Sequence, residues 1–180
     1  MTPTDRPAPT ASRSRLMQLA LAALVALGPA DAHADADTRA VAERFVLEFL
    51  GQGSIEAAEA VISPDIVAVT ALSPTAPIEG RAAYIETFFA FAQAFTFETP
   101  VEIVDSIVTE DRAVMRIRAR ATHSGAFLGL APTHRSILFD ETHVMRIDSG
   151  MVTENVVSAT NLEFEMVFAP VLSPLVLAED

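Results

Sequence analysis

The sequence predicts an α+β domain in which leading helices pack on one face of a curved antiparallel sheet. Three observations carry this. Apolar residues recur with a helical period up to about residue 95, and from Pro100 onward the period becomes two. Helices before strands, rather than alternating with them, is the order of an α+β domain and not of a doubly wound one. At 180 residues and 51% hydrophobic content, the chain can fill one core.

The elements follow in order. DTRAVAERFVLEFLGQG (37–53) places Val41, Phe45 and Phe49, with Val46 and Leu50, on one helical stripe and ends at paired glycines. Ser54 can cap a second helix, IEAAEAVI, which stops before Ser63-Pro64 because a residue preceding proline is pushed out of the helical region. IVAVTAL (66–72) reads as a short strand. A proline-bearing loop leads to RAAYIETFFAFAQAF (81–95), whose Tyr84, Phe88, Phe91 and Phe95 share a stripe that most simply belongs to the core. Strands follow at 101–110, 112–124, 136–148 and 151–160, with turns at Glu110-Asp111 and Ser149-Gly150. The last residues, 170–180, form an apolar tail with two prolines over 169–180, suited to a groove or to a partner subunit.

Strand side chains alternate between faces, so parity sorts the polar ones. In 112–124, Arg116, Arg118 and Arg120 face water, and His123 falls with Ala113, Met115 and Ile117 toward the helices. In 136–147, Glu141 and His143 fall with Ile137, Phe139 and Met145. In 151–160 the even positions Val152, Glu154, Val156, Ser158 and Thr160 are the expected inner face, an assignment that one bulge reverses. Four ionisable groups on an inner face exceed what a dry core tolerates, which favours a pocket with a polar floor. His143 is the expected centre. Glu154, diagonal to it across the Ser149-Gly150 turn, is the expected partner, because Glu141 lies two residues along the same strand, about 7 Å away. His134 sits in an exposed loop. The histidine spacings of eleven and nine match no metal-ligand signature.

Composition narrows the function. The net charge is −12, which argues against nucleic acid as a partner. All twelve basic residues are Arg, so lysine Schiff-base chemistry is excluded, and the absence of Cys excludes thiol nucleophiles and disulfides. Arg6, Arg13 and Arg15 precede the apolar run Leu16 to Leu27, and Ala32-His33-Ala34 follows. This is the pattern of a secretory signal peptide, residues 1–34, cleaved after Ala34. The run is shorter than the roughly 20 residues of a membrane span, so no stable span is expected after cleavage. The mature chain, 35–180, keeps 9 basic and 22 acidic groups, and the periplasm or the outside of the cell is its expected location.

IEGRAAYIETFFAFAQAF, VEIVDSIVTEDRAVMRIRARATHSGAFLGLAPTHR and MRIDSGMVTENVVSAT together resemble the SnoaL-like polyketide cyclase, or ester cyclase, branch of the nuclear transport factor 2-like superfamily. The likeness spans roughly Asp37 to Phe168, within a domain of 35–169. Members carry a T-H-x-G-x-F-x-G-x-x-P-T-G loop, an R-x-x-x-G-K-I-x-E turn and an acid six residues beyond that Glu. His123 matches the loop histidine and Glu154 the turn glutamate; the acid position falls on Thr160, beside Asn161, and neither is a carboxylate. His134 stands where the family has glycine. The resemblance implies a cone-shaped, strongly bent antiparallel sheet on about three helices, with the ligand inside, commonly dimeric, and an intramolecular aldol ring closure that uses no metal and no organic cofactor.

The expected site therefore has His143, Glu154 and His123 as catalytic groups and Glu141, Tyr84, Phe127, Thr160 and Asn161 as ligand contacts. The loop 123–135 is expected to close one end of the cavity, with Phe127 and either Leu128 or Leu130 turned inward. Two functions fit: a cofactor-free cyclase, isomerase or lyase acting on a small apolar carbonyl compound, or an exported binding domain for a small hydrophobic molecule. A dimerisation module, with the polar groups paired to one another, is a third. A homodimer is expected.

Overall fold

The computed structural model describes residues 29–159 and 161–177. The expected signal peptide lies outside the described residues over 1–28. A helix α1 (Pro29–Arg44) runs on as a π-helical segment, Phe45–Leu50. The five-residue spacing of a π-turn brings Phe45 and Leu50 to one side, and Phe45, Val46, Phe49 and Leu50 are all buried. Helix α2 (Ile55–Val61) starts where Ser54 accepts the Ala57 N–H on its hydroxyl, at 3.1 Å.

Strand β1 (Ile62–Val69) begins earlier than the apolar run suggests, taking Ser63-Pro64 into the strand, and pairs with the short β2 (Ile78–Glu79). Helix α3 (Arg81–Ala94) passes into β3 (Phe95–Phe97). The meander is β4 (Glu102–Val108), β5 (Arg112–His123), β6 (Ser136–Asp148) and β7 (Met151–Ala159). The sheet order is β2-β1-β7-β6-β5-β3, with β4 also on β5. The architecture is α+β, as expected, but the sheet is mixed, because β1 runs parallel to β7.

Two expectations are corrected. The first is the C-terminal tail: Leu162–Leu177 is a helix, α4, despite Pro170 and Pro174 within it. Its Phe164 and Phe168 are buried against Phe91, Phe95, Phe127 and Phe139, and that apolar burial outweighs the N–H donors the prolines lack. The second is the face of β7. A register shift between Arg146 and Ile147 pairs Ile147 with Val152 but Arg146 with Glu154. One extra residue on β7 reverses parity beyond it, so Asn155 is buried and Glu154 is exposed.

The core has two clusters. The larger joins the leading helices to β1, the first half of β5, the end of β6 and the start of β7, around Phe45, Phe49, Ile62, Ile66, Met115 and Met145. The second is the aromatic group under α4. Among the described residues no helix is long and apolar enough to cross a membrane.

Candidate active site

A cavity of about 90 Å³ opens between α3, β5, β6, β7 and α4. Leu50, Leu72, Phe88, Phe91, Phe139 and Phe164 supply apolar wall, and Tyr84, Glu141, His143 and Asn161 supply the polar floor. Helical spacing on α3 sets Tyr84, Phe88 and Phe91 in a row, and strand alternation on β6 sets Phe139, Glu141 and His143 in another.

His143 is almost fully buried, with Phe45 edge-on at 6.2 Å. Its Nε2 lies 3.5 Å from Oε2 of Glu141 and makes no hydrogen bond within protein geometry. The sequence placed Glu141 beyond direct reach of His143, but the two methylenes of Glu141 and the breadth of the imidazole bring the side chains together. On the other side, Nδ1 lies 3.3 Å from Oδ1 of Asn155, whose Nδ2 donates to the Tyr84 hydroxyl at 2.9 Å. Glu141 Oε1 accepts from Asn161 Nδ2, and Asn161 Oδ1 accepts the Asp140 backbone N–H at 2.7 Å. Tyr84, Asn155, His143, Glu141 and Asn161 thus form one chain of polar groups. Burial, opposed by the Asn155 bond and aided by the Glu141 charge, pushes the Tyr84 hydroxyl well above its ordinary pKa, so it stays a neutral donor.

The remaining expected residues lie elsewhere. His143 pairs with Met115 on β5, eight residues from His123, roughly 27 Å along an extended strand. His123 is buried among Phe95 and Phe168, with ring centroids at 5.2 and 5.0 Å. Its Nδ1 accepts the Thr133 N–H at 3.2 Å. A backbone N–H only donates, so the ring hydrogen is on Nε2. Burial lowers the His123 pKa, with a backbone contact at Gly125 acting the other way. His123 therefore anchors the loop and does not reach the cavity. Phe127 is buried in the same aromatic cluster rather than in the cavity wall. Thr160 lies outside the described residues. Glu154 is on the outer face, removed from His143 by the register shift. The residue that sequence reasoning missed is Asn155; its only signal is the alternative parity of β7, in which Asn155, Val157 and Ala159 run together.

Outside the cavity, Arg116 and Arg118 both clamp Asp140, at 2.8 and 2.7 Å, and hold its carboxyl far below the ordinary range. Among the described residues no group of three or more His, Cys, Asp or Glu is placed to hold a metal ion.

The model of the SnoaL-like polyketide cyclase family matches residues 40–163. The chain belongs to that family. The matched span runs from α1 to the start of α4 and includes Tyr84, Glu141, His143 and Asn161. Among solved structures, this SnoaL-like chain is similar to a candidate SnoaL-like polyketide cyclase from Jannaschia sp. CCS1, with 17% identity, a TM-score of 0.67, and 78% of this chain and 96% of that one covered. It is also similar to TsrD from Streptomyces laurentii, at 16% identity and a TM-score of 0.62, covering 73% and 93%. A third is an NTF2-like protein from Burkholderia xenovorans LB400, at 13% identity and a TM-score of 0.57, covering 77% and 97%. At these identities the likeness shows the fold alone, that of the nuclear transport factor 2-like proteins. No curated protein matches the chain.

Proposed function

We propose that this SnoaL-like domain is a cofactor-independent enzyme that moves a proton on a small, largely apolar carbonyl compound, as a cyclase, isomerase or lyase does. The observation that carries the reading is a buried histidine and a half-buried carboxylate, 3.5 Å apart, on the floor of an otherwise apolar cavity. With Asn155 oriented as described, its amide oxygen only accepts, so Nδ1 of His143 carries a hydrogen and neutral His143 presents the Nε2 lone pair. In the base form no proton lies between Nε2 and Glu141 Oε2, and the one proton the pair gains in the reaction sits there and satisfies both groups. In the proposed step this pair takes a hydrogen from the carbon beside the carbonyl: the C–H bond breaks, an N–H or O–H bond forms, and the electron pair moves to the carbonyl oxygen. Tyr84, neutral and lining the cavity, is the donor suited to that oxygen. Returning the proton to another carbon gives an isomer; attack of the enolate on a second carbonyl forms the C–C bond of a ring, and the alkoxide left on that carbonyl oxygen takes the proton back from the pair.

The test is deuterium uptake from D₂O into β-tetralone, followed by mass spectrometry. Exchange above the buffer rate is expected for the wild type, with a fall of roughly 10²-fold or more in His143→Ala and Glu141→Gln. Equal rates in all three, at the buffer level, would refute catalysis of this type on simple ketones.

A binding domain is the second reading, favoured because most polar groups of the floor are already bonded to one another. An apolar molecule retained through purification in native mass spectrometry, without exchange, supports it. The composition of residues 1–34 supports export, which N-terminal sequencing of protein from a secreting host checks. The exposed Val67 and Val69 on β1, with Val104 and Ile107 on β4, support a homodimer through the outer face of the sheet. Sedimentation measures it.

A further inference from the structure

We propose that Asn161 is a positioning residue that selects which oxygen of Glu141 can exchange a proton with His143, and that it ties this choice to the docking of α4. The proposal rests on the acid–base reading of the cavity and adds a residue that acts through Glu141 rather than on the ligand.

The amide of Asn161 has one allowed orientation. Its buried side chain meets the Asp140 backbone N–H at 2.7 Å, and that group can only donate, so the facing atom is Oδ1. Nδ2 must then face Glu141 Oε1. An amide N–H cannot accept, and an unprotonated oxygen accepts it more strongly than a hydroxyl oxygen does, so this bond favours Oε1 as the unprotonated oxygen of Glu141. A proton on that carboxyl is thereby directed to Oε2, the oxygen 3.5 Å from His143 Nε2. Asn161 thereby aims the carboxyl as well as holding it.

The backbone of the same residue starts the helix. The Asn161 carbonyl accepts the Glu165 N–H at 2.9 Å, and Phe164 and Glu165 in that first turn line the cavity. Glu163, one residue earlier, accepts the Leu138 N–H at 2.7 Å, so the start of α4 is fastened to β6 at two points. A ligand that shifts the first turn of α4 would also shift the aim of Glu141. The charged or titratable groups around Glu141 are His143 on its own strand, Tyr84 on α3 and Glu165 on α4; Asp140 and its arginine partners face the other side of the sheet.

The two halves of the amide can be separated by substitution. Asn161→Asp keeps an oxygen for the Asp140 N–H but replaces the donor to Glu141 with a second acceptor. Asn161→Leu removes both. In the full chain, slow hydrogen exchange of the Asp140 amide should persist in the Asp variant and be lost in the Leu variant. Nitrogen-15 histidine spectra should show the His143 Nε2 resonance displaced in the Asp variant. Its rate profile for deuterium uptake into β-tetralone should have the acidic limb at higher pH, because two facing carboxyls retain a proton. An Nε2 resonance and a pH limb matching the wild type, with the Asp140 amide still protected, would overturn the proposal. Loss of that protection in Asn161→Asp would overturn it as well, since the acceptor half would then not suffice for docking. If no ketone exchanges in the wild type, the enzymatic reading fails, while the Nε2 resonance still decides the role of Asn161.

Discussion

Asn155 shows what one buried amide settles. It faces a histidine nitrogen on one side and a phenol on the other, 3.3 and 2.9 Å away, with no solvent exposure. Replacing it with Leu leaves the Nδ1 hydrogen of His143 and the Tyr84 hydroxyl without that partner. The expected cost is about 1 to 3 kcal/mol by urea unfolding, together with a changed His143 tautomer in nitrogen-15 spectra. Glu154→Gln is the matched control: its side chain points outward, so stability should stay within about 0.5 kcal/mol and β-tetralone exchange should not change. A large effect at Glu154 would mean that β7 pairs in the unbulged register. At this scale the sequence was partly legible. Parity along β6 needs only that strand to be regular, and it put Glu141 and His143 inside. Parity along β7 depended on a register shift between Arg146 and Ile147 that no local residue pattern announces.

The loop between β5 and β6 illustrates how backbone demands select glycine for two different reasons. Gly129 has φ +82° beside Leu128 at +50°, in a tight turn closed by bonds between Phe127 and Leu130, with open space around the missing side chain. Gly129→Val should therefore cost about 1 to 3 kcal/mol through backbone strain alone. Gly125 is constrained by approach instead: an added Cβ would lie 2.9 Å from the Ala94 Cα and the Gln93 carbonyl, where Ser124 and Gly125 both donate to the Ala94 carbonyl. Gly125→Ala should lower the melting temperature and loosen the seam between α3 and the loop, seen as faster exchange of the Ser124 amide. Helix α4 was hidden by its prolines, which mark a tail rather than a helix when only local propensity is weighed; Phe164 and Phe168, four apart, are the tertiary signal that overrides it. The exposed Pro170 leaves the Met166 carbonyl without its helical donor. Pro170→Ala should raise stability by roughly 1 to 3 kcal/mol in the same unfolding assay, and no gain would mean that the helix is bent to its benefit there.

Over the whole molecule, the groups that titrate below neutrality and are shifted by folding sit away from the cavity, so the acid dependence of stability and of catalysis should separate. Burial lowers the His123 pKa from 6.5, and hydrogen bonds from Arg116 and Arg118 lower Asp140 from 3.8, while Thr122 and Ser136 lower Glu98 from 4.5. A group whose pKa falls on folding binds its proton more tightly in the unfolded chain, so acid favours unfolding. The His123 contribution is complete above about pH 6.5 and is lost as pH falls toward its lower folded value; the carboxylate contributions persist to about 4.5 and are lost below it. The melting temperature should thus decline in two stages on acidification. In His123→Phe the ring still fills the space beside Phe95 and Phe168 but no longer accepts the Thr133 N–H, so the variant should melt lower at pH 8. It should nevertheless lack the decline just below pH 6.5, where the wild type begins to fall, and should rejoin the wild-type slope below 4.5. Calorimetry across that range decides it: parallel curves for the two proteins would show that His123 keeps an unperturbed proton affinity and that the first stage, if present, belongs to another histidine.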